Sequence, residues 1–327
     1  MNFPALLNTI AALFLMMTVG FVAGKLNVIT PAASKNLSRL IIVIGQPALI
    51  IHALVKIEFS SENLGIGFLT LAFGIVVHLT LALLSFFCFS RFRDLNERKI
   101  SEFAAIFGNV GFVGFPILEA TLGPKSVFMG AFFVVSFNLV LWTWGIAILA
   151  RKRSDIRLTP KKILLNYGTV PSIIGLLFYL MKGLLPRLLP SAAVNALSYV
   201  GGPFLSALSY LASLCTPISM LIVGALLARR PLGQMVRSGK IYYQCAVKRL
   251  IFPVLICFVM RLIGFEGEWV RFAAIVVAMP SATSVTMLSE LHDISPEYSA
   301  QVTGASAVLS LLTVPCVLWI AQKILEW

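Results

Sequence analysis

Asn109 carries the side chain best suited to chemistry in this chain. A carboxamide can donate a hydrogen bond to a carboxylate without placing a charge in apolar surroundings, where a charge is expensive. Asn109 stands in an apolar run just ahead of Gly111, Gly114 and Pro116. A second apolar run carries Pro280, followed by the hydroxyl residues Ser281, Thr283 and Ser284. Proline withholds a backbone donor and clashes with the carbonyl four residues back, here Phe112 and Val276, so both runs are expected to break. Polar backbone freed in this way cannot be satisfied by lipid and must line a protein-walled or watery cavity. A half-helix starting after Pro280 would offer free N–H groups and a positive dipole end to an anion.

The two runs form a pair. Phe103-Ala104-Ala105-Ile106 leads into the first, and Phe272-Ala273-Ala274-Ile275, 169 positions further on, leads into the second. Matched, interrupted hydrophobic segments in the two halves of a chain point to a transporter's binding site. Two further echoes keep the same register. Gln46-Pro47 stands opposite Thr216-Pro217, and Ser136 and Ser310 each lie six residues after a glycine, Gly130 and Gly304.

The elements that must position these residues are membrane helices. The chain is 59% hydrophobic and 12% charged, with a mean hydropathy of +0.94. Soluble domains are nearer a quarter charged. The apolar runs are long and unalternating, which implies helices and not a barrel. Ten spans are expected, near 4–24, 37–55, 64–90, 103–122, 126–150, 163–182, 203–228, 244–263, 270–290 and 298–323. Lys248, Arg249 and Arg261 intrude on the eighth. Pro190, Gly201, Gly202 and Pro203 argue against one continuous helix over 188–202. The run from Phe3 to Gly24 has no positive flank and exceeds a signal-peptide core, so it reads as the first span.

The net charge of +13 is a topology signal. The loops after spans 1, 3, 5 and 7 hold 19 of the 26 Lys and Arg residues, and the other side holds 7. Positive-inside bias then sets both termini outside the cytoplasm of a cell membrane, and the basic loops meet anionic headgroups. A nucleic-acid partner is not expected. The polar stretch 151–162 divides the chain into a first repeat, 1–150, and a second, 163–327, with five spans each. An odd number per half inserts the second repeat upside down, so span 4 pairs with span 9. Cys88, Cys215, Cys245, Cys257 and Cys316 show neither a disulfide framework nor a metal pattern, and no metal or cofactor is expected.

The segments Gly45-Gln46-Pro47-Ala48-Leu49-Ile50, Gly108-Asn109-Val110-Gly111-Phe112-Val113-Gly114-Phe115-Pro116, Thr216-Pro217 through Gly224-Ala225, and Met279-Pro280-Ser281-Ala282 resemble the auxin efflux carrier family of permeases. The resemblance spans the whole chain. It implies an all-α integral membrane protein of ten transmembrane helices, built as two inverted five-helix repeats, with broken helices 4 and 9 crossing at the centre. It implies an asparagine at position 109 against the substrate and a polar contact from Asn138 on helix 5. Plant relatives export an anionic indole carboxylate, and bacterial relatives look like carriers of small mono- and dicarboxylates. The short central loop is similar to that of microbial members.

Other candidates are weighed individually. Gln46 faces either substrate or a buried scaffold partner. Glu119 and Glu290 are intramembrane or near-membrane carboxylates, functional suspects by default. Glu119 could snorkel outward, and Glu290 could lie at the cytoplasmic surface. His78 could titrate near neutral pH or be a satisfied buried histidine. Ser281, Thr283 and Ser284 could instead bond back to their own helix. No enzyme motif is present. The expected function is a secondary transporter of a small organic carboxylate, with the lipid bilayer as its surroundings and a homodimer left open. The rival is a membrane-embedded sensor for such a ligand; the chain's end four residues after Lys323, with no signalling domain, favours transport.

Overall fold

The computed structural model describes residues 3–56, 58–155, 159, 165–229, 233, 237–265 and 267–326. Every regular element among them is helical. Helix α1 covers Phe3–Lys25. Helix α2 (Pro31–Leu40) continues through a π turn, Ile41–Gly45, into α3 (Gln46–Val55). Then come α4 (Ser61–Cys88), α5 (Leu95–Ile106), a π turn at Val110–Gly114, and α6 (Phe115–Leu122). Helix α7 (Pro124–Val140) joins α8 (Ile146–Ala150) through a π turn at Leu141–Gly145. The second half holds α9 (Thr169–Leu188), α10 (Ser191–Ser213), α11 (Cys215–Leu227) and α12 (Gly239–Ala246). A π turn at Val247–Ile251 leads into α13 (Phe252–Leu262), followed by α14 (Gly267–Ala278), α15 (Thr283–Leu291) and α16 (Pro296–Leu325).

The starts follow from the local sequence. Thr30 accepts from Ala33 N at 3.2 Å ahead of Pro31, which opens α2 with its missing N–H at a position that needs none. Asp94 accepts from the N–H groups of Asn96 and Glu97 at 2.8 and 2.9 Å to open α5. Gly123, at φ +80°, ends α6 where a side chain would be strained, and Pro124 opens α7.

Five stretches of the described residues are long and apolar enough to cross a bilayer: Pro31–Val55, Leu64–Cys88, Lys125–Ala150, Thr169–Leu188 and Gly201–Leu227. Pro296–Ser310 and Leu312–Leu325 make a sixth if their 58° bend lies within one span. Pro315 explains that bend, since it leaves the carbonyl four residues back without a donor. This is an all-helical, multi-pass membrane protein. Leu15, Val19, Phe87, Leu312 and Trp319 are exposed on its outside, the pattern of a lipid-facing surface.

One expectation is corrected. Gly201, Gly202 and Pro203 do not interrupt the chain; α10 runs through all three. A membrane helix tolerates such residues where neighbours compensate the freed backbone. The boundary stretch 151–162 is described at 151–155 and 159 only. There Arg153 pairs with Asp155 at 2.7 Å and reaches the His292 carbonyl at 3.2 Å.

The packing is reciprocal between the halves. Helix α1 lies on α11, and α9 lies on α3. Helix α4 packs on α5 and α7, and α13 packs on α14 and α16. Glycines set the closest approach. A Cβ on Gly20 or Gly224 would run into the opposing backbone, at Leu221 and Met17 respectively, which is how small residues allow close helix crossing in lipid. We expect Gly224→Val to separate α1 from α11 and lower stability by at least the ~1–3 kcal/mol typical of overpacking. A thermal unfolding midpoint on purified protein checks this, with Gly65→Ala, whose added Cβ meets nothing within 4 Å, as control.

Buried charge is handled in clusters. Glu102 accepts from Arg98 at 2.7 Å and from Arg151 at 2.7 and 3.1 Å. Glu290 does not sit at the surface: it is 4% exposed and accepts from Ser34, Ser38 and Arg229 at 2.8, 3.2 and 3.3 Å. It ties α2 and the end of α11 to α15, a structural use of the carboxylate.

Candidate functional site

Two backbone breaks meet at the centre. Helix α5 stops at Ile106 and α14 at Ala278. The extended residues that follow lie antiparallel, bridged between Gly108 and Ser281. Asn109 N donates to Pro280 O at 2.7 Å, and Ala282 N donates to Phe107 O at 2.9 Å. The two freed segments thus satisfy each other, as they must at membrane depth. The first break lies at Phe107–Asn109, ahead of Pro116. Gly111 and Gly114 fall in the π turn that follows, which runs directly into α6, and Pro116 is the second residue of that helix. In the second run Pro280 sits within the break itself.

Beside the bridge is a cavity of about 50 Å³. Gln46 and Leu49 of α3, Gly108 to Gly111, Asn138 and Phe137 of α7, and Ala282 to Ser284 at the start of α15 line it. The geometry locates seven of the sequence candidates relative to this cavity. Gln46, Asn109, Gly111, Asn138, Thr283 and Ser284 come together around one space, whereas Ser281 is spent on structure. Its hydroxyl donates to Ala104 O at 3.0 Å and its N–H to Ser306 Oγ at 2.9 Å.

The polar lining is only partly satisfied. Gln46 Nε2 donates to Asn138 Oδ1 at 3.1 Å, and Asn138 Nδ2 donates to Val134 O at 2.8 Å. Gln46 Oε1 and Thr283 Oγ1 are buried with no partner among the described residues. Buried polar atoms without partners are rare and call for an explanation. No side chain caps α15 at Ala282, and Val285 N bonds Ala282 O at 3.1 Å, so the helix start at Thr283 and Ser284 brings its positive dipole end to the cavity wall. The Thr283 hydroxyl and this helix start lie there with the Asn109 carboxamide, and no acidic residue lines the cavity.

Leu49 and Gly111 also line a second, wider space of about 580 Å³, together with His52, Lys56, Glu119 and Thr216. Leu49 and Gly111 belong to the walls of both spaces, and the wider one is termed the vestibule. Glu119 therefore lies in the vestibule and not at the crossing. His78 lines neither space. Its Nδ1 lies 2.6 Å from Gly74 O, and its ring is caged by Phe107, Phe133 and Phe137 at 5.0–5.9 Å. No group of three or more metal-ligating side chains occurs among the described residues.

Sequence reasoning missed two features. Gly108 makes the bridge possible, because a Cβ there would stand 3.2 Å from Val276 O and 3.3 Å from Met279 Cβ. Lys248 and Arg249, read as intrusions on a span, are among the most deeply buried side chains in the molecule, 1% and 0% exposed. Their adjacency in an apolar run was the available signal.

A small, mostly apolar cavity with a few polar groups, set at paired helix breaks inside a multi-pass helical membrane protein, is the arrangement in which transporters build their binding sites. Residues 5–319 match the family described as "Membrane transport protein". The chain belongs to that family, the auxin efflux carriers, as its motifs imply. It is 21% identical to the "Putative malonate transporter" of Rhizobium meliloti, over 95% of this chain and 94% of that protein. It is 22% identical to an uncharacterized transporter of Methanothermobacter thermautotrophicus, over 98% of this chain and 99% of that protein. A third relative, an uncharacterized transporter of Methanocaldococcus jannaschii, is 23% identical over 96% and 98% of the two chains.

Proposed function

We propose that the protein is a secondary transporter that moves a small mono- or dicarboxylate across the cell membrane by alternating access around the α5/α14 crossing. The observation that carries this reading is the cavity where the Asn109 carboxamide, the unpartnered Thr283 Oγ1 and the uncapped start of α15 lie together. The malonate named for the Rhizobium meliloti relative makes malonate the first substrate to try. A cavity of about 50 Å³ holds water and not a dicarboxylate. Substrate would therefore enter only when Leu49 and Gly111 part and the cavity joins the vestibule, and the protein as described would be in a closed state. Asn109, Thr283 and Ser284 would bind carboxylate oxygens, Gly111 would let it pass, and the clasped pair Gln46–Asn138 would orient it. Glu119 would act in the vestibule.

The reading includes ten spans as two inverted repeats, 1–150 and 163–327, with broken helices 4 and 9. The reciprocal packing of α1 on α11 and α9 on α3 supports it, since an inverted repeat makes those two contacts equivalents. Both termini would lie outside the cytoplasm, and the vestibule would open on that side, because Lys56 belongs to the lysine-poor set of loops. A reporter active only in the cytoplasm, fused after the last residue, should give no signal, and full signal would reverse the orientation. Transport itself is tested by a thermal-stabilisation screen over mono- and dicarboxylates on purified protein, then by uptake of radiolabelled malonate into proteoliposomes. Saturable uptake, competed by unlabelled malonate, is expected. Binding of carboxylates without uptake of any would leave a receptor.

A further inference from the structure

Lys248 and Arg249 lie on the π turn between α12 and α13, packed against α5, α14 and α16. Arg249 Nε donates to Thr313 Oγ1 at 2.7 Å, and its Nη1 donates to the carbonyl and the hydroxyl of Ser306. That hydroxyl also accepts from Ser281 N at 2.9 Å, so Arg249 is one hydrogen bond removed from the bridge. Its Nη2 is buried without a partner among the described residues. Lys248 is buried beside it. Its Nζ and the Val276 carbonyl oxygen both lie within 3.5 Å of the point where a Cβ on Gly108 would stand. Val276 O is the carbonyl that Pro280 deprives of its helical donor.

Neither cation has an acidic partner among the described residues. The buried carboxylates are committed elsewhere, Glu102 to Arg98 and Arg151, and Glu290 to Arg229. A buried charge left unpaired is strongly destabilising unless something of opposite sign answers it. What stands near Lys248 Nζ is the backbone of the crossing at Gly108 and Val276, while Arg249 is held by Thr313 and Ser306 of α16. Two broken helices, α5 and α14, end at the crossing with their negative dipole ends and freed carbonyls. In transporters with discontinuous helices, such carbonyl ends are where coupling cations are coordinated.

We propose that Lys248, backed by Arg249, is a built-in counter-cation of the crossing: its ammonium stands where the carbonyl ends of α5 and α14 would otherwise draw a soluble cation, so the protein carries its anion without sodium. The proposal rests on the reading of the crossing as an anion site. It divides the crossing by charge. The helix N-terminal side at Thr283 takes the substrate anion, and the C-terminal side carries its cation covalently.

The test needs no substrate. Thermal unfolding midpoints are measured for wild type, Lys248→Ala and Lys248→Met in choline chloride, with and without sodium chloride or ethylammonium chloride. The wild-type midpoint is expected to be the same in all three salts. Lys248→Ala should unfold several degrees lower and be raised by ethylammonium, which refills the vacated space with a cation. Lys248→Met, which fills the space without charge, should unfold lower and not respond. A wild-type midpoint raised by sodium over choline overturns the proposal. So does a Lys248→Ala midpoint equal to wild type, or one that ethylammonium leaves unmoved. If Lys248→Ala does not survive purification, the wild-type sodium comparison and Lys248→Met decide. Failure of malonate uptake would count against the transport reading alone and leave these readouts intact.

Discussion

Asn109→Asp should abolish carboxylate binding and lower the thermal midpoint of the ligand-free protein. The substitution replaces a neutral donor with a negative charge, in a cavity that no acidic residue lines and at a depth where repulsion is poorly screened. Asn109→Ala should be milder. It removes one hydrogen bond to a charged group, worth about 1–3 kcal/mol, or roughly a 5- to 150-fold weaker Kd. Asn109→Ala should keep a near wild-type midpoint, because the bridge at this position is made by the Asn109 backbone N–H and not by its side chain, and single interhelical polar bonds average about 0.6 kcal/mol in membranes; Asn109→Asp, which buries a carboxylate, should unfold lower. Thermal midpoints without ligand, set beside malonate titrations, separate the two effects. Unchanged affinity in Asn109→Asp would make the residue helix glue and move the site elsewhere.

Gly108→Val should damage fold and site together. The first added carbon would already stand 3.2 Å from Val276 O, 3.3 Å from Met279 Cβ and 3.5 Å from Lys248 Nζ. The two further methyl groups have no room unless the bridged segments separate. That would strain or break the bonds from Asn109 N to Pro280 O and from Ala282 N to Phe107 O. Overpacking alone costs about 1–3 kcal/mol, and unpaired backbone at this depth adds to it. We expect a lower thermal midpoint, reduced folded yield and no detectable malonate binding, with Gly108→Ala intermediate in all three. A valine variant that binds malonate like wild type would show that the crossing does not form the site.

The chemistry at the crossing was legible because membrane depth makes polar residues and proline informative. Asn109, Pro280, Thr283 and Ser284 stand out in apolar runs, and the Phe-Ala-Ala-Ile pair ties the two runs together. What the sequence could not show was which groups face one another. Proline fixes the second break, but the first opens at Phe107–Asn109, where the chain gives up helix for a bridge to a segment 173 positions away. No local rule encodes that exchange. Gln46 and Asn138 read as separate candidates and turn out to be clasped to each other, since periodicity places a residue on a helix without saying which neighbour it meets. Lys248 and Arg249 counted against a span because hydropathy scores a cation by its cost. Their burial beside the crossing depends on tertiary contacts of the turn before α13 with α5, α14 and α16. Glu290 misled in the other direction: its position near a helix end suggested the surface, yet Ser34, Ser38 and Arg229 gather around it from other elements.

The most direct measurement is a structure of the protein determined with malonate bound. The account predicts density for the dicarboxylate between Asn109 and the first turn of α15, within hydrogen-bond distance of Thr283 Oγ1, with Leu49 moved away from Gly111 to make room. Malonate bound only in the vestibule beside Lys56, with the central cavity still closed in the presence of saturating ligand, would contradict it.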